Sequence, residues 1–285
     1  MKILLTGAAG FTGIFFKSAA EGAGHQVWAL QANLTDKSAV AAEVLQVAPD
    51  AVVHLGAISF VGHSDDTAFY SVNVVGTMNL LEGLATLPVK PYKVLLVSSA
   101  NVYGNCDASP ITEAQPAAPV NHYAISKLAM EHMARTYLDR LPVLFSRPFN
   151  YTGAGQAPNF LIPKLVSHFA RRAPAIELGN LHVEREFNDV RMVCDAYLAL
   201  LSHGVPGEVY NVCSGRTYTL QHVIGLLSGI SGHTMDVQVN PVFVRANEVH
   251  HLCGSPDKLL TCVGLQQQFS LGDTLNWMLK AESSV

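Results

Sequence analysis

The sequence predicts an α/β fold, in which a doubly wound parallel sheet is joined to a smaller C-terminal lobe, and three observations lead to this prediction. Short apolar segments alternate with longer segments of helical composition over residues 1–150. Three glycines, Gly7, Gly10 and Gly13, follow the first apolar segment, where a strand would turn into a helix. Charged residues make up only 14% of the chain and the mean hydropathy is +0.24, as expected for a sheet that is buried on both faces.

The apolar segments are the strand candidates, because a buried parallel strand reads as a short continuous apolar run. They span residues 2–6, 26–30, 51–54, 93–98 and 142–147. The helix candidates between them span residues 11–21, 37–47, 67–87 and 121–140. Crossovers between parallel strands are right-handed, so the carboxyl ends of the strands should meet at one edge and form a ligand site there.

The glycine loop Gly7-Ala8-Ala9-Gly10-Phe11-Thr12-Gly13 is the first candidate site. Strand, glycine turn and helix together would place a pyrophosphate on free N–H groups at a helix N-terminus. The spacing is GxxGxxG rather than GxGxxG, and a purely structural glycine turn is the alternative. We therefore predict a Rossmann-type fold that binds a dinucleotide through Gly7, Gly10, Phe11, Thr12 and Gly13.

Tyr123 and Lys127 form the second candidate site, because residues four apart on a helix share one face, with Cβ atoms roughly 6 Å apart. We expect the ammonium group to lower the pKa of the phenol from its usual value of about 10. Tyr123 could then exchange a proton with a carbinol oxygen. The pair is not specific by itself, since Tyr and Lys stand four apart by chance on many helices.

With both motifs in view, the chain resembles the extended short-chain dehydrogenase/reductase family, also known as the NAD-dependent epimerase/dehydratase family, nearly from end to end. Four more motifs carry the resemblance: His54-Leu55-Gly56-Ala57, Asn73-Val74-Val75-Gly76-Thr77, Ser98-Ser99-Ala100-Asn101-Val102-Tyr103-Gly104 and Arg147-Pro148-Phe149-Asn150. The resemblance implies an NAD(P)-dependent oxidoreductase in which Ser99 joins Tyr123 and Lys127 in catalysis. Ser99 is chosen over Ser98 because it stands four residues before Tyr103.

Four stretches are most similar to GDP-4-keto-6-deoxy-D-mannose reductases within that family. They are residues 147–156, 178–181, 210–215 and 245–249. The resemblance implies a nucleotide-diphosphate sugar as substrate, linked to GDP or dTDP, in the synthesis of a polysaccharide or O-antigen precursor. It also implies a homodimer formed through the helices at residues 67–87 and 121–140.

The resemblance further implies which residues contact the cofactor and the substrate. Besides the glycine loop, the cofactor contacts are Asn33, Leu34, Leu55, Gly56, Ala57, Asn73, Tyr123, Lys127 and Pro148. The substrate contacts are Asn101, Asn150, Asn159, Lys164, Arg185, Arg245 and Glu248. Guanidinium groups suit a diphosphate because they donate two hydrogen bonds to it, although surface salt bridges or ordinary helix packing are the alternatives. Glu186 departs from the family's Arg-Asp-Phe-x-Asp-Val segment.

Position 101 bears on the reaction. In the family, 4,6-dehydratases have a glutamate there and 3,5-epimerase-reductases a cysteine, and both groups act on a carbon acid. The amide of Asn101 cannot act as a base near neutral pH. A 4-ketoreductase is therefore favoured, with a 4-epimerase that holds NAD as the alternative and a 4,6-dehydratase less favoured. A dinucleotide-binding protein without catalysis is a distant alternative, because the chain keeps Ser99, Tyr123 and Lys127.

The choice of cofactor depends on the end of the second strand. No Asp or Glu stands in Trp28-Ala29-Leu30-Gln31-Ala32-Asn33, where a ribose 2′-hydroxyl is usually held, and no Arg or Lys stands there for a 2′-phosphate. The missing acid removes a charge that would repel the phosphate, so the sequence slightly favours NADP(H) over NAD(H). Asn33-Leu34 replaces the Asp-Leu that the family places near adenine.

Bulk properties exclude several function classes. With 18 basic and 22 acidic residues the net charge is −4, and no basic block supports binding of nucleic acid or a membrane surface. No apolar stretch approaches the roughly 20 residues of a membrane span. Met1-Lys2 leads directly into the first strand, so we expect no signal peptide and a cytoplasmic location. The five cysteines and twelve histidines have no metal-ligand spacing, so we expect reduced thiols and no metal.

The alternation of strands and helices breaks down after Asn150, where Gly, Pro and Asn become frequent. We predict that residues 1–150 form the dinucleotide-binding domain and that residues 186–210 return to it. Residues 151–185 and 211–285 would then form the substrate-binding lobe.

Overall fold

The computed structural model describes residues 1–59, 64–181, 183–243, 251–264 and 269–283. In these ranges the strands are β1 (Lys2–Thr6), β2 (Gln26–Ala29), β3 (Ala51–His54), β4 (Lys93–Val97), β5 (Val143–Pro148), β6 (Tyr151–Thr152), β7 (Ala175–Leu178), β8 (Glu184–Arg185), β9 (Asn188–Asp189), β10 (Val209–Val212), β11 (Tyr218–Thr219), β12 (Asp236–Val239) and β13 (His251–Leu252). The α-helices are α1 (Phe11–Gly22), α2 (Lys37–Val47), α3 (Asp66–Tyr70), α4 (Thr77–Thr86), α5 (His122–Arg135), α6 (Leu161–Ala170), α7 (Val190–His203), α8 (Leu220–Ser231), α9 (Asp257–Val263) and α10 (Leu271–Glu282).

Six parallel strands form the central sheet in the order β10-β5-β4-β3-β1-β2, which confirms the predicted fold class. Successive side chains of a strand point to opposite faces, so each strand contributes to two cores. Ile3 and Leu5 of β1 pack with α1 and α7 on one face. Leu4, between them, packs with α2, α4 and α5 on the other face. The unbroken apolar runs of the sequence are the consequence of this double burial.

The predicted strand boundaries agree with the structure to within one residue, whereas two predicted helices differ from it. The helix predicted for residues 67–87 is divided, because a π-helical turn (Ser71–Gly76) separates α3 from α4. The helix predicted for residues 121–140 was wrong at its C-terminal end, since α5 ends at Arg135. After it, Tyr137 N–H bonds to the carbonyl of Ala134 and Arg140 N–H to that of Tyr137, so the chain continues in tight turns.

A second core lies in the C-terminal part of the described chain. Helices α6, α8 and α10 pack around Leu165, Leu227 and Leu275, and the parallel pair β7–β12 covers them. Smaller sheets, β11-β8-β13 and β6-β9, connect this core to the end of β5. Between these segments, α7 packs on α1 and β10 pairs with β5 in the central sheet. The proposed division of roles between a dinucleotide domain and a substrate lobe remains a prediction.

Candidate active site

The glycine loop is shaped by close backbone contacts. Gly7 has φ +70°, and a Cβ there would lie 2.9 Å from the amide nitrogen of Gly56. A Cβ on Gly13 would lie only 2.1 Å from the carbonyl oxygen of Gly7. Gly10 precedes α1 without a side-chain cap, so the first N–H groups of the helix face the loop. This turn and the uncapped helix end are what a pyrophosphate requires, and the residues fit that group.

Phe11 and Thr12 face the segment that follows β5. The Thr12 hydroxyl lies 2.8 Å from the hydroxyl of Tyr151, and the rings of Phe11 and Tyr151 stack with centroids 6.3 Å apart. Burial raises the pKa of Tyr151 to about 12, so this phenol is neutral. The first turn of α1 is thereby attached to the residue directly after Asn150.

His54, at the end of β3, is the centre of a buried chain of hydrogen bonds. The Thr77 hydroxyl donates to the carbonyl of Asn73 at 2.7 Å, so it accepts from His54 Nε2–H at 2.8 Å. Burial and the charge of Lys127 lower the pKa of His54 to about 3, so the ring is neutral. Its Nδ1 therefore accepts from the Thr6 hydroxyl at 2.7 Å, and this hydroxyl accepts from Gly56 N–H at 2.8 Å.

Asn73 lies in the π-helical turn and is almost fully buried. Its amide accepts from Ile58 N–H at 2.9 Å and donates to the carbonyl of Ile58 at 3.2 Å and to the hydroxyl of Ser126 at 3.0 Å. The Ser126 hydroxyl in turn donates to the carbonyl of Tyr123 at 2.8 Å. Asn73 thus joins the loop after β3 to α5, and the contact with the ribose that the resemblance implies stays a prediction.

The three predicted catalytic residues gather at the end of β4. Tyr123 and Lys127 lie in the first turns of α5, and both are buried. Ser99, two residues after β4, lies near the phenol of Tyr123, and its hydroxyl accepts from Asn101 N–H at 3.2 Å. Lys127 Nζ donates to the carbonyl of Val97 at 2.8 Å. A hydroxyl pair is thereby placed at the carboxyl edge of the sheet, beside an ammonium group.

The expectation that Lys127 lowers the pKa of Tyr123 was wrong for this structure. Burial raises the pKa of Tyr123 above 10, and the neighbouring Ser99 hydroxyl is what opposes this shift. The ammonium group is directed at a backbone carbonyl, and burial lowers the pKa of Lys127 itself to about 8, against the charge of Glu131. Tyr123 is therefore a neutral phenol near pH 7 and has a proton to give.

A buried ion pair fixes α5 against β5. Arg147 donates to both carboxylate oxygens of Glu131, at 2.9 and 2.7 Å, and its guanidinium group lies 4.8 Å from the ring centre of Tyr103. The Tyr103 hydroxyl donates to the side chain of Asn211 at 2.7 Å. These contacts hold together four elements around the predicted catalytic residues, so the geometry of these elements is set before any ligand binds.

A groove of about 280 Å³ runs from the glycine loop past the ends of β2 and β3. It is lined by several predicted cofactor residues: Gly7, Asn33, Leu34, Gly56 and Ala57. Leu34 fills the space beside Gly56, because a Cβ on this glycine would lie 2.9 Å from Leu34 Cδ1. Leu55 follows β3 at the same edge, whereas Pro148 is buried as the last residue of β5.

The predicted substrate residues are less closely connected. Asn150 is exposed, and its carbonyl accepts from the backbone N–H of Asn188 at 2.9 Å, which joins it to the start of β9. Arg185 lies in β8, three residues before Asn188 in the chain. Asn159 is exposed before α6, and Lys164 Nζ donates to the carbonyl of Glu177 at 2.9 Å. Asn101 lies beside Ser99, as described above. Arg245 and Glu248 lie outside the described residues.

Glu186, directly after β8, connects neighbouring segments of the predicted substrate region by hydrogen bonds. It is buried, and its carboxylate accepts from the N–H of Gly254 at 2.6 Å, from the N–H of Ser214 at 2.7 Å and from Asn188 Nδ2 at 3.1 Å. Burial raises the pKa of Glu186 in spite of these donors. The structure assigns a connecting role to a residue that the sequence presented only as a departure from the family pattern.

Several residues of the site could not be found from the sequence. Glu131 acts through Arg147, 16 positions away, and no local motif marks it. Thr77 and Tyr151 lie in stretches that carry the family resemblance, but their partners, 4 and 139 positions away, could not be identified from those stretches. His54 was part of a motif, and its position directly at a strand end was a usable signal. Over the described part of the chain, no group of three or more His, Cys, Asp or Glu could hold a metal ion. Nor does a described helix have the length and apolar character to cross a membrane.

Comparison with known proteins identifies the family of the chain. Residues 16–278 match the family model for GDP-mannose 4,6 dehydratase. The chain is 38% identical to GDP-6-deoxy-D-talose 4-dehydrogenase of Aggregatibacter actinomycetemcomitans, covering 95% of this chain and 94% of that protein. It is 33% identical to GDP-6-deoxy-D-mannose reductase of Pseudomonas aeruginosa, covering 98% and 96%.

Two solved structures share the whole fold. RMD from Pseudomonas aeruginosa in complex with NADPH has a TM-score of 0.93 and 31% identity, covering 99% of both chains. The crystal structure of a proposed epimerase from Burkholderia cenocepacia has a TM-score of 0.95 and 44% identity, covering 100% of this chain and 98% of that one. The resemblance to the extended short-chain dehydrogenases/reductases, first seen in the motifs, is thereby confirmed.

Proposed function

Since the chain belongs to the GDP-mannose 4,6-dehydratase family of extended short-chain dehydrogenases/reductases, it is an enzyme of that class, and we propose that it reduces the C4 keto group of a nucleotide-linked 4-keto-6-deoxyhexose. The observation that carries the proposal is the buried pair of Tyr123 and Ser99, beside Lys127 at the carboxyl edge of the sheet. Two relatives named for the oxidoreduction of GDP-6-deoxy sugars, each aligned over nearly the whole chain, support it.

The protonation state of Tyr123 favours reduction. A reduced dinucleotide, when bound along the glycine loop, supplies the hydride. Tyr123 gives its proton to the carbonyl oxygen as negative charge develops there, and the Ser99 hydroxyl donates to the same oxygen. Because burial keeps the Tyr123 phenol protonated at neutral pH, the residue is prepared for donation rather than abstraction. Lys127 Nζ, which donates to the carbonyl of Val97, fixes this part of α5 at the end of β4.

Asn101 limits the reaction to a single carbinol carbon. Its backbone N–H donates to Ser99 Oγ, so the residue lies next to the proposed catalytic pair. An amide there can orient the sugar through hydrogen bonds but cannot remove a proton from carbon. A dehydration or a 3,5-epimerisation would lack its base at this position.

The two named relatives define the stereochemical question. Talose and mannose differ in configuration only at C4, so both 6-deoxy products arise from one 4-keto sugar by hydride transfer to opposite faces. We propose a GDP sugar rather than a dTDP sugar, because both relatives are named for GDP sugars. Asn150 and Arg185 would hold the sugar and its diphosphate.

The cofactor is a nicotinamide dinucleotide, and the NADPH complex of RMD from Pseudomonas aeruginosa supports NADP(H) as one form. The sequence slightly favoured NADP(H), because no acidic residue directly follows β2. In the structure, however, the carboxylate of Glu43 binds the N–H groups of Gln31 and Ala32, directly after β2. An acidic group is therefore present there, and the choice between NADP(H) and NAD(H) has to be considered again.

We further propose a cytoplasmic homodimer, formed through the surface of α4 and α5 with the π-helical turn between α3 and α4. Three apolar side chains there are partly exposed, Val75 at 44%, Ile125 at 39% and Leu138, just after α5, at 36%. Exposed apolar side chains of this kind could be covered in a dimer interface. Light scattering after size exclusion distinguishes a dimer of about twice 30.6 kDa from a monomer.

The test is an assay with purified protein and freshly prepared GDP-4-keto-6-deoxymannose, in parallel with the dTDP-linked sugar. We expect one reduced dinucleotide to be oxidised per sugar, with the product identified as 6-deoxytalose or 6-deoxymannose by NMR. A matched Tyr92→Phe protein should behave like wild type, since this tyrosine is exposed and remote in the fold. Cofactor oxidation that does not depend on the sugar would contradict the proposal.

A nucleotide-sugar 4-epimerase is the second candidate, because a structure 44% identical to this chain is described as a proposed epimerase. An epimerase oxidises and re-reduces the same carbon, so it consumes no cofactor. Interconversion of GDP-6-deoxytalose and GDP-6-deoxymannose without net oxidation of the dinucleotide would establish this reaction instead.

A further inference from the structure

Glu43, on α2, reaches across to the loop that follows β2. Its carboxylate accepts from the N–H of Gln31 at 2.9 and 3.1 Å and from the N–H of Ala32 at 2.7 Å. The residue before them, Leu30, still pairs its N–H with the carbonyl of Leu5 in the sheet. Gln31 and Ala32 therefore carry the first backbone N–H groups beyond the sheet at the carboxyl end of β2. Both of these groups donate to the carboxylate of Glu43.

This loop borders the groove in which the dinucleotide is expected. Ala32, Asn33 and Leu34 line the groove together with Gly7 of the glycine loop. In a Rossmann-type fold the adenosine ribose lies at the end of the second strand, where its 2′ position is read by an acidic or a basic side chain. Glu43 supplies an acidic side chain at this place from the neighbouring helix α2. It stands 12 positions after Gln31, so the sequence of the strand end does not contain it.

The charge of this carboxylate is not balanced locally. Among the residues that the structure describes, no lysine or arginine forms an ion pair with Glu43. Lys37, at the start of the same helix, pairs with Glu82. A 2′-phosphate would bring about two further negative charges to the loop, and it would find the N–H groups of Gln31 and Ala32 already engaged.

We propose that Glu43 determines the cofactor specificity of this enzyme and directs it to NAD(H) rather than NADP(H). The proposal rests on the proposed function, because it assumes that the groove holds a dinucleotide. A ribose 2′-hydroxyl can donate to the carboxylate, whereas a 2′-phosphate can only be repelled by it. This reverses the slight preference for NADP(H) that the sequence alone supports.

The test is to measure the binding of NADH and NADPH by isothermal titration calorimetry, with the full chain and without any sugar. Glu43→Gln keeps the shape and an acceptor oxygen but removes the charge, and Glu21→Gln on α1 is a control that changes the net charge equally. We expect wild type and the control to bind NADH at least about tenfold more tightly than NADPH. In Glu43→Gln this ratio should fall about tenfold, mainly because NADPH binds more tightly.

A second measurement uses only the wild-type protein. Raising the salt concentration from about 20 to about 500 mM should reduce the preference for NADH severalfold, because the repulsion is electrostatic. An NADH-to-NADPH ratio that is the same in wild type and in a folded Glu43→Gln protein would overturn the inference. If neither dinucleotide binds to wild type, the proposed function fails and the inference with it, so the two failures are distinguishable.

Discussion

The candidate site has a cofactor side, from Gly56 to Asn73, and a substrate side, around Glu186. Each side is organised by a buried titratable group, and the two groups are of different kinds. On the cofactor side His54 is a neutral imidazole, and each hydrogen bond from Gly56 to Asn73 has a defined donor and acceptor. On the substrate side Glu186 is a carboxylate that accepts from Gly254, Ser214 and Asn188. No ion pair between described residues includes this carboxylate, so backbone, amide and hydroxyl donors stabilise its charge.

The two groups respond to pH in opposite directions. The pKa of His54 is lowered to about 3, so between pH 6.5 and 3 the unfolded chain binds a proton that the folded chain does not. The stability that His54 contributes is present above pH 6.5 and is lost as the pH falls. The pKa of Glu186 is raised from 4.5, so the folded chain binds the extra proton and stability is lost as the pH rises. The two sides of the site can therefore be weakened separately.

The largest expected effect is on catalysis, at the edge of the cofactor side. Tyr123→Phe removes the proton that the mechanism transfers, so kcat should fall by about 10²–10⁴ while dinucleotide affinity changes little. Steady-state kinetics and calorimetry on the same preparation measure the two quantities. Retained turnover in Tyr123→Phe would show that another group gives the proton.

The next largest effect is the loss of stability on the cofactor side at low pH. Protonation of the unfolded chain at His54 should remove up to about 4–5 kcal/mol of the free energy of unfolding between pH 6.5 and 3. His54→Gln should be less stable than wild type at pH 7 and should have a flatter pH dependence over this range. Urea unfolding at several pH values measures both, and His203→Gln, at an exposed histidine, serves as the control. Equal pH dependence in wild type and His54→Gln would contradict the network described here.

A smaller effect is expected from a substitution that changes the substrate side alone. Glu186→Gln replaces one acceptor oxygen by an NH₂ group that faces backbone donors, which should cost about 1–3 kcal/mol of stability. Because Glu186 positions Asn188, and through it Asn150, KM for the sugar nucleotide should rise severalfold at nearly constant dinucleotide affinity. Glu177→Gln, at an exposed carboxylate of the same lobe, is the matched control. A parallel loss of both affinities would show that the two sides are not independent.

The same comparison explains how much the sequence could predict. On the cofactor side the signals are local: a glycine loop, a Tyr–Lys pair and apolar strands whose boundaries agree with the structure within one residue. Every one of these residues acts at or beside a strand end, and parallel topology brings the strand ends together. The fold, and the position of the candidate catalytic residues at one edge of the sheet, therefore follow from short motifs.

What could not be predicted depends on contacts between distant segments. The carboxylates of Glu43 and Glu131 meet partners 11 to 16 positions away, on elements whose relative placement only the folded chain defines. The π-helical turn has no composition signal, although the bond from Thr77 to Asn73 accompanies it. The pKa of Tyr123 was misjudged because helix spacing indicates that Lys127 is near but not where its ammonium group points.

The smallest expected effect concerns Lys164, which the resemblance placed at the nucleotide. Its ammonium group donates to the carbonyl of Glu177 and secures α6 to β7, while the buried face of α6 packs on the second core. An exposed hydrogen bond of this kind contributes little, so Lys164→Met should lower stability by less than about 1 kcal/mol. KM for the sugar nucleotide should change less than about twofold, in contrast to Glu186→Gln. A tenfold rise in KM would mean that the ammonium group leaves the carbonyl to bind phosphate, and that the substrate side rearranges on binding while the cofactor side does not.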